Sequence, residues 1–191
     1  MLWDTHMHTH FSGDSNADPA AMARSAIGKN LAGICITDHL DYDYPDEPDL
    51  FTIDFPQYEK GIRQLQADFS DSLNINFGIE LGLQPHLAKK HHEILQEMDF
   101  DFVIGSSHVV HGLDPYYPAY YEGRSEHAAY LEYFESILEN IAAFHEFDVY
   151  GHIDYVVRYG PEKNKNYSYD KYKDVIDEIL RQLIAHGKGI E

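Results

Sequence analysis

The sequence has one cysteine and no long apolar run, and each shortage excludes a class of protein. The single cysteine, Cys35, lies in the apolar run 33–37, so no internal disulfide can form and we expect a buried structural thiol. No apolar run approaches the roughly 20 residues that a membrane span needs. Met1 leads into a polar, histidine-rich segment rather than a secretory signal. We therefore expect a cytoplasmic protein.

Basic residues are also scarce, and this limits the anions that the chain can bind. There are 14 lysines and arginines against 33 aspartates and glutamates, which gives a formal net charge of -19. Such a charge repels a nucleic-acid backbone and provides little of the counterion release that drives polymer binding. We expect no long nucleic acid as substrate, whereas a small anion could bind where cations and a few arginines reverse the local potential.

Length and composition are those of one folded domain. The 191 residues are 43% hydrophobic and 25% charged, close to the average of globular proteins. A chain of this size can bury one sizeable core and is short for two domains. We therefore predict a single domain over residues 1–191.

Short apolar runs alternate with helical patterns along the chain. The runs are rich in β-branched residues and predict buried strands at residues 2–5, 33–37, 75–81, 102–106 and 149–153. The segments between them repeat apolar residues at helical spacing, for example Tyr58, Ile62 and Leu65. This alternation predicts parallel βα units, in a βα barrel or an open doubly wound sheet. Residues 41–54 and 113–122 are rich in Pro, Asp and Tyr, and we expect them to be long loops that shape a site.

A pair of histidines near the N-terminus is the first motif with chemical meaning. In Asp4-Thr5-His6-Met7-His8, alternate residues share one face of a strand, so His6 and His8 can present two imidazoles to one ion. Asp4 has the same parity and could orient one of the imidazoles. The pair alone is weak evidence, because surface and core histidines are common.

Further candidate ligands recur where the other predicted strands end. They are His39, Glu80, His108 and His152. In parallel βα folds the carboxyl ends of the strands meet at one rim, where sites are built. Imidazole nitrogens combined with carboxylate oxygens suit zinc, manganese or iron. Glu80 has two oxygens with which it can bridge two cations, and such a pair can activate water at neutral pH.

Taken together, these motifs resemble the polymerase and histidinol phosphatase (PHP) family over essentially the whole chain. The motifs are Asp4-Thr5-His6-Met7-His8, Thr37-Asp38-His39, Gly78-Ile79-Glu80, Ser106-Ser107-His108 and Gly151-His152-Ile153-Asp154. Within the family, the chain looks most like the monofunctional histidinol-phosphate phosphatases, through residues 104–108, 121–125 and 152–160.

The resemblance implies an α/β fold, a distorted (β/α)7 TIM-like barrel with three metals on its carboxyl rim. One metal would be held by His6, His8 and Glu80, a second by Glu80, His108 and His152, and a third by Asp14 and His39. The cofactors would be two to three divalent ions of zinc, manganese or iron, with catalytic roles for Glu80 and His39. Family members end with an Asp-x-His motif on a last strand, whereas this chain stops at Glu191. We therefore expect the last strand to be missing and the metal sites that it completes to be depleted.

The implied activity is hydrolysis of L-histidinol phosphate to L-histidinol and phosphate in histidine biosynthesis. Arg124 and Arg158 are candidate phosphate contacts, because a guanidinium can hold two phosphate oxygens at once and the chain has few basic residues. Two alternatives stay open. One is a PHP-type phosphoesterase that acts on nucleotides or short oligonucleotides, and the other is a noncatalytic, metal-binding PHP-like domain.

One further pair of histidines is expected to have no part in the site. His91 and His92 lie in a polar helical stretch beside Lys89, Lys90 and Glu93. Such surroundings predict a solvated helix face.

Overall fold

The structure, a computed structural model that describes residues 2–191, contains a parallel sheet with helices packed on it. Its strands are Trp3–Asp4 (β1), Gly33–Ile36 (β2), His39–Leu40 (β3), Asn74–Gly82 (β4), Phe102–Ser106 (β5), Val149–Tyr150 (β6) and Gly189–Ile190 (β7). Its α-helices are Pro19–Gly28 (α1), Phe55–Asp68 (α2), Ala88–Glu97 (α3), Glu126–Ala143 (α4), Tyr155–Tyr159 (α5) and Tyr169–Ala185 (α6). Two 3₁₀ helices, Pro85–Leu87 and Pro118–Tyr121, complete the set of described helices.

Polar side chains fix where helices begin. Asp18 Oδ1 accepts a hydrogen bond from the backbone N–H of Ala20 at 3.2 Å, and Pro19 is the first residue of α1. Ser125 Oγ accepts one from the backbone N–H of Ala128, also at 3.2 Å, at the start of α4. Such caps satisfy amide groups that have no partner inside the helix. None of the described helices combines the length and apolar character needed to cross a membrane.

The strand pairs are parallel, and the sheet has the order β1-β2-β4-β5-β6-β7. β3 also pairs with β4, where His39 lies opposite Glu80, so β2 and β3 run along the same neighbour as one interrupted strand. Within residues 2–191, β1 and β7 are the two edges of this path. The sheet is curled, and the architecture is that of the distorted TIM-like barrel predicted above.

The core lies between the sheet and its helices. Ile34, Phe77 and Ile104 from the strands are fully buried, as are Phe134 and Ile179 from the helices. Complete burial of one such side chain contributes roughly 1.5–3 kcal/mol to folding. Because this packing occupies the length of the strands, the residues at and beyond their carboxyl ends are free to form a site.

The two predicted loops are confirmed as mostly irregular segments. Residues 41–54 contain turns and bends but neither helix nor strand. Residues 113–122 contain one short regular element, the 3₁₀ helix Pro118–Tyr121. Both segments lie after strands, where long connections can border a cavity.

The prediction for His91 is wrong. His91 is fully buried in α3, with its ring centroid 5.6 Å from that of Phe144, and burial lowers its pKa to about 4. His92 is exposed, as predicted, and its Nδ1 lies 2.8 Å from a carboxylate oxygen of Glu146. His91 and Ile94 share one face of the helix at a spacing of three residues, and this position decides burial despite the polar neighbours.

Candidate metal centre

The seven residues predicted as metal ligands lie together at the carboxyl ends of the strands. Six of them line a cavity of about 710 Å³, namely His6, His8, Asp14, His39, His108 and His152. The seventh, Glu80 of β4, is fully buried and contacts five of the imidazoles. The parallel sheet therefore gathers side chains that are far apart in the sequence.

One oxygen of Glu80 faces three imidazoles. Glu80 Oε2 lies 3.1 Å from His6 Nε2, 3.0 Å from His8 Nε2 and 3.1 Å from His39 Nδ1. His6 Nε2 and His8 Nε2 are themselves 3.1 Å apart, as expected for alternate residues on one face of an extended segment. His6 Nε2, His8 Nε2 and Glu80 Oε2 could hold one cation.

The other oxygen of Glu80 faces a second group of imidazoles. Glu80 Oε1 lies 3.1 Å from His152 Nε2 and 3.3 Å from His108 Nε2. The Ser106 hydroxyl donates a hydrogen bond of 2.7 Å to the same oxygen and so restricts rotation of the carboxylate. Because its two oxygens face two groups of imidazoles, Glu80 has the geometry of a ligand that bridges two cations.

Asp14 joins the cluster from the loop between β1 and α1. Its Oδ2 lies 3.1 Å from His8 Nδ1 and 3.7 Å from His39 Nε2. The Asp14 side chain is 42% exposed, the most accessible of the predicted ligands. Asp14, His8 and His39 could hold a third cation, at the solvent side of the cluster.

The donor atoms fit divalent cations. Glu80 Oε2 and His108 Nε2 are buried and have no hydrogen-bond partner among the described residues, although buried polar atoms are normally paired. Ligand atoms lie within 4.8 Å of one another in the groups His6–His8–Glu80, Glu80–His108–His152, His8–Asp14–His39 and His39–Asp41–His108. A mixture of imidazole nitrogen and carboxylate oxygen suits zinc, manganese or iron.

Opposite charges control the protonation of the cluster. Burial alone would lower the pKa of His8, but a hydrogen bond to Asp14 and the negative charges of Glu80 and Asp14 outweigh it and raise the pKa to about 10. Burial alone would raise the pKa of Glu80, but the charges of His39 and His108 hold it well below its usual range. Glu80 is therefore ionised at neutral pH, and a cation that binds to the imidazoles must displace protons from them.

Asp41 is a member of the cluster that the sequence analysis missed. Its Oδ1 lies 2.8 Å from His108 Nδ1, and its Oδ2 lies 3.2 Å from His39 Nδ1. Burial alone would raise the pKa of Asp41, but the charges of His108 and His39 hold it below its ordinary range. The sequence did contain a signal, because Asp41 follows His39 at the same spacing of two that singled out His6 and His8.

Glu191 is a second member that the sequence analysis missed. Its Oε2 lies 2.6 Å from His6 Nδ1, although 185 positions separate the two residues. The sequence pattern suggests this orienting role for Asp4, but the Asp4 side chain is exposed. Only the curl of the sheet, which brings the segments after β1 and β7 together, reveals the contact.

The two arginines predicted to contact phosphate have different positions. Arg158 of α5 lines the cavity. Arg124 is not among the residues that line it. Its guanidinium pairs with Glu132 of α4 and stacks over the Tyr120 ring at 4.2 Å. Position therefore supports a phosphate contact for Arg158, whereas Arg124 would first have to leave Glu132.

Aromatic side chains, which the sequence analysis could not place, form much of the remaining cavity wall. They are Tyr44, Phe51, Tyr116, Tyr117, Tyr155 and Tyr159. The buried carboxylate of Asp114 accepts hydrogen bonds from the hydroxyls of Tyr44 at 2.6 Å and Tyr155 at 3.1 Å, which fixes two of the rings. The cavity thus combines a polar cluster of ligands with an aromatic wall.

Known proteins share both the sequence pattern and the fold. The model of the PHP domain family matches residues 4–191. The chain is 33% identical over 189 residues to the histidinol-phosphatase of Lactococcus lactis subsp. lactis (strain IL1403). This alignment covers 98% of this chain and 70% of that protein. The chain is also 31% identical over 191 residues to the probable histidinol-phosphatase of Clostridium acetobutylicum. This second alignment covers 100% of this chain and 72% of that protein.

The chain also resembles solved structures in its fold. The crystal structure of histidinol phosphate phosphatase from Lactococcus lactis, complexed with zinc, L-histidinol and phosphate, has a TM-score of 0.93 and 33% sequence identity. The match covers 98% of this chain and 71% of that one. A protein from Listeria monocytogenes has a TM-score of 0.84 and 18% identity over 99% of this chain and 81% of that one, and shares the fold.

Proposed function

The chain belongs to the PHP domain family, and on this basis we propose that it is a metal-dependent phosphatase that hydrolyses L-histidinol phosphate to L-histidinol and phosphate in histidine biosynthesis. The observation that carries the proposal is a buried carboxylate, Glu80, between two groups of histidines that line a cavity. The same chain is 33% identical to a histidinol-phosphatase over 98% of its length.

Two to three divalent cations would bind at this centre. His6, His8 and Glu80 would hold one, Glu80, His108 and His152 a second, and Asp14 with His39 a third. The buried atoms without partners support this assignment, and the Lactococcus lactis structure contains zinc. Bound divalent cations lower the pKa of water and stabilise charge that develops on a phosphoryl group.

Side chains of the protein would bind and orient the substrate. Arg158 would hold phosphate oxygens through its guanidinium, because it is the arginine that lines the cavity. Glu80, with its rotation restricted by Ser106, would be the ligand shared by the cations of the two imidazole groups and would keep these groups in a fixed relative position. His39 lies between Glu80 and Asp14 and is the second proposed catalytic residue. The aromatic wall would enclose the organic part of the ester and exclude water.

A panel of phosphomonoesters tests the proposal against its alternatives. Metal-loaded protein is assayed for phosphate release from L-histidinol phosphate, nucleoside monophosphates, a short phosphorylated oligonucleotide and serine phosphate. We expect the highest kcat/KM with L-histidinol phosphate and no turnover after chelation. Preference for a nucleotide would favour the nucleotide phosphoesterase instead. Bound metal without turnover of any ester would favour the noncatalytic domain.

A further inference from the structure

Asp41 is a buried carboxylate that lies between two histidines of the metal centre. It directly follows β3, two residues after His39, and is 2% exposed. Asp41 Oδ1 lies 2.8 Å from His108 Nδ1, and Asp41 Oδ2 lies 3.2 Å from His39 Nδ1. The carboxylate therefore faces the same nitrogen, Nδ1, of both rings.

The other nitrogen of each ring faces a proposed metal ligand. His108 Nε2 lies 3.3 Å from Glu80 Oε1, and His39 Nε2 lies 3.7 Å from Asp14 Oδ2. An imidazole that donates from Nδ1 to a carboxylate presents the lone pair of Nε2 to a cation. Because His39 Nδ1 also lies 3.1 Å from Glu80 Oε2, we expect Asp41 to act mainly on His108.

The backbone of β4 holds the Asp41 carboxylate in place. A Cβ atom at Gly82 would lie 2.0 Å from Asp41 Oδ1 and 2.4 Å from its Cγ. Only glycine at this position leaves room for the carboxylate to pack against the strand. Gly82 thus provides a second way to disturb Asp41 without changing any polar side chain.

We propose that Asp41 is a positioning residue of the metal centre, which accepts a hydrogen bond from Nδ1 of His108 and so directs Nε2 of His108 towards the cations. The proposal rests on the proposed function only in treating the cluster as a metal centre, and it requires no particular substrate. A different geometry, in which Asp41 is itself a ligand together with His39 and His108, is one outcome of the test.

Zinc affinity is the first measurement, made on the purified chain by competition with a chromogenic chelator. We expect Asp41→Ala to weaken zinc binding roughly ten- to a hundred-fold, the usual effect of removing a group that orients a ligand. Gly82→Ala should act in the same direction. Asp41→Asn should have a smaller effect, because its amide oxygen can still accept from His108. Asp114→Asn is the matched control, since this buried carboxylate contacts tyrosine hydroxyls, and its zinc affinity should equal that of the parent.

Histidine-ring NMR of the zinc-loaded protein is the second measurement, because a general loss of packing would not reproduce its result. With ¹⁵N-labelled histidine, the parent should give a hydrogen-bonded Nδ1–H signal from His108. Asp41→Ala and Gly82→Ala should lose this signal while keeping the circular dichroism spectrum. If Asp41→Ala does not fold, Asp41→Asn carries the test, with a shifted signal and weakened zinc binding expected.

Three results would overturn the positioning role. One is parent-like zinc affinity in the Asp41 variants, and another is an unchanged His108 Nδ1–H signal. The third is the loss of one whole zinc ion per chain while that signal persists, which would make Asp41 a ligand. Normal zinc binding without hydrolysis of L-histidinol phosphate would instead overturn the proposed function alone, and a parent that binds no zinc would overturn both.

Discussion

Glu80 Oε1 lies 3.1 Å from His152 Nε2, although the two residues are 72 positions apart in the chain. Glu80 lies in β4, His152 follows β6, and β5 lies between these two strands, so the contact spans the carboxyl ends of three neighbouring strands. The opposite oxygen, Glu80 Oε2, lies 3.0 Å from His8 Nε2. The Glu80 side chain therefore connects β4 to segments that follow strands on either side of it in the sheet. The first prediction concerns the replacement of Glu80.

Glu80→Gln should remove metal both from the site with His6 and His8 and from the site with His108 and His152. The amide is neutral and keeps one acceptor oxygen, so it can no longer bridge two cations as a carboxylate does. We expect fewer metal ions per chain and a fall in kcat/KM of at least roughly a hundredfold, the upper end of the range for residues that only orient a ligand. Elemental analysis and phosphate release measure the two effects. Glu93→Gln, at an exposed position in α3, is the control and should leave both unchanged.

Arg158→Ala should weaken catalysis without changing metal content. Loss of a charged hydrogen bond to phosphate, about 1.5–3 kcal/mol, corresponds to a fall in kcat/KM of roughly ten- to a hundred-fold. Arg124→Ala is the matched comparison and should have the smaller effect on kcat/KM, because the Arg124 guanidinium already pairs with Glu132. A larger loss for Arg124→Ala would mean that Arg124 leaves Glu132 to bind the substrate.

The metal-free protein should lose stability as the pH rises above about 6.5. The pKa of His8 is raised from 6.5 to about 10 in the folded chain, so the folded state binds more protons than the unfolded state between these values. The stabilisation is complete below 6.5 and disappears as the pH rises through about 10. Urea unfolding in the presence of a chelator, repeated across this range, measures the decline. His8→Gln should show a flatter dependence, and an equal slope in both proteins would exclude His8 as its origin.

Zinc should raise the melting temperature of the chain, and a chelator should reverse the increase. A ligand that binds only the folded state adds about 2.7 kcal/mol of stability at a concentration of 100 times its Kd. Because protons compete for the imidazoles and the pKa of His8 is about 10 in the metal-free folded chain, the increase should shrink as the pH falls below about 10. Differential scanning calorimetry with and without zinc measures both effects. A melting temperature that does not respond to zinc at any pH would contradict a metal centre in this cavity.

Local patterns predict parallel βα units and most of the cluster, whereas the distorted barrel and the ligand role of Asp14 follow from the resemblance to the PHP family. Apolar runs predicted five of the seven described strands, although β1 is exposed rather than buried, and the spacing of two between His6 and His8 predicted two imidazoles on one face. The candidate ligands at strand ends needed one further principle, that parallel strands meet at one rim. That rim is where the structure has Glu80 and His152 in contact.

The remaining residues depend on packing between segments that are distant in the sequence. Arg124 was predicted from its charge alone, and nothing in the sequence indicated that Glu132 would bind it. Glu191 reaches His6 only because the sheet curls. Asp41 and His91 are different, since the spacing of Asp41 from His39 and the helical position of His91 beside Ile94 are both readable in the sequence. The prediction placed Asp41 only in a loop, and the polar neighbours of His91 favoured an exposed position.

A zinc titration of the metal-free protein, with turnover of L-histidinol phosphate measured at each step, tests the central claim most directly. We expect no phosphate release from the chelated protein and a rate that rises with each equivalent of zinc until it saturates at two to three ions per chain. Glu80→Gln, titrated in parallel, should stay inactive at the same zinc concentrations. Phosphate release by the fully chelated protein, or saturation with zinc without any turnover, would contradict the claim that this cluster is the catalytic centre.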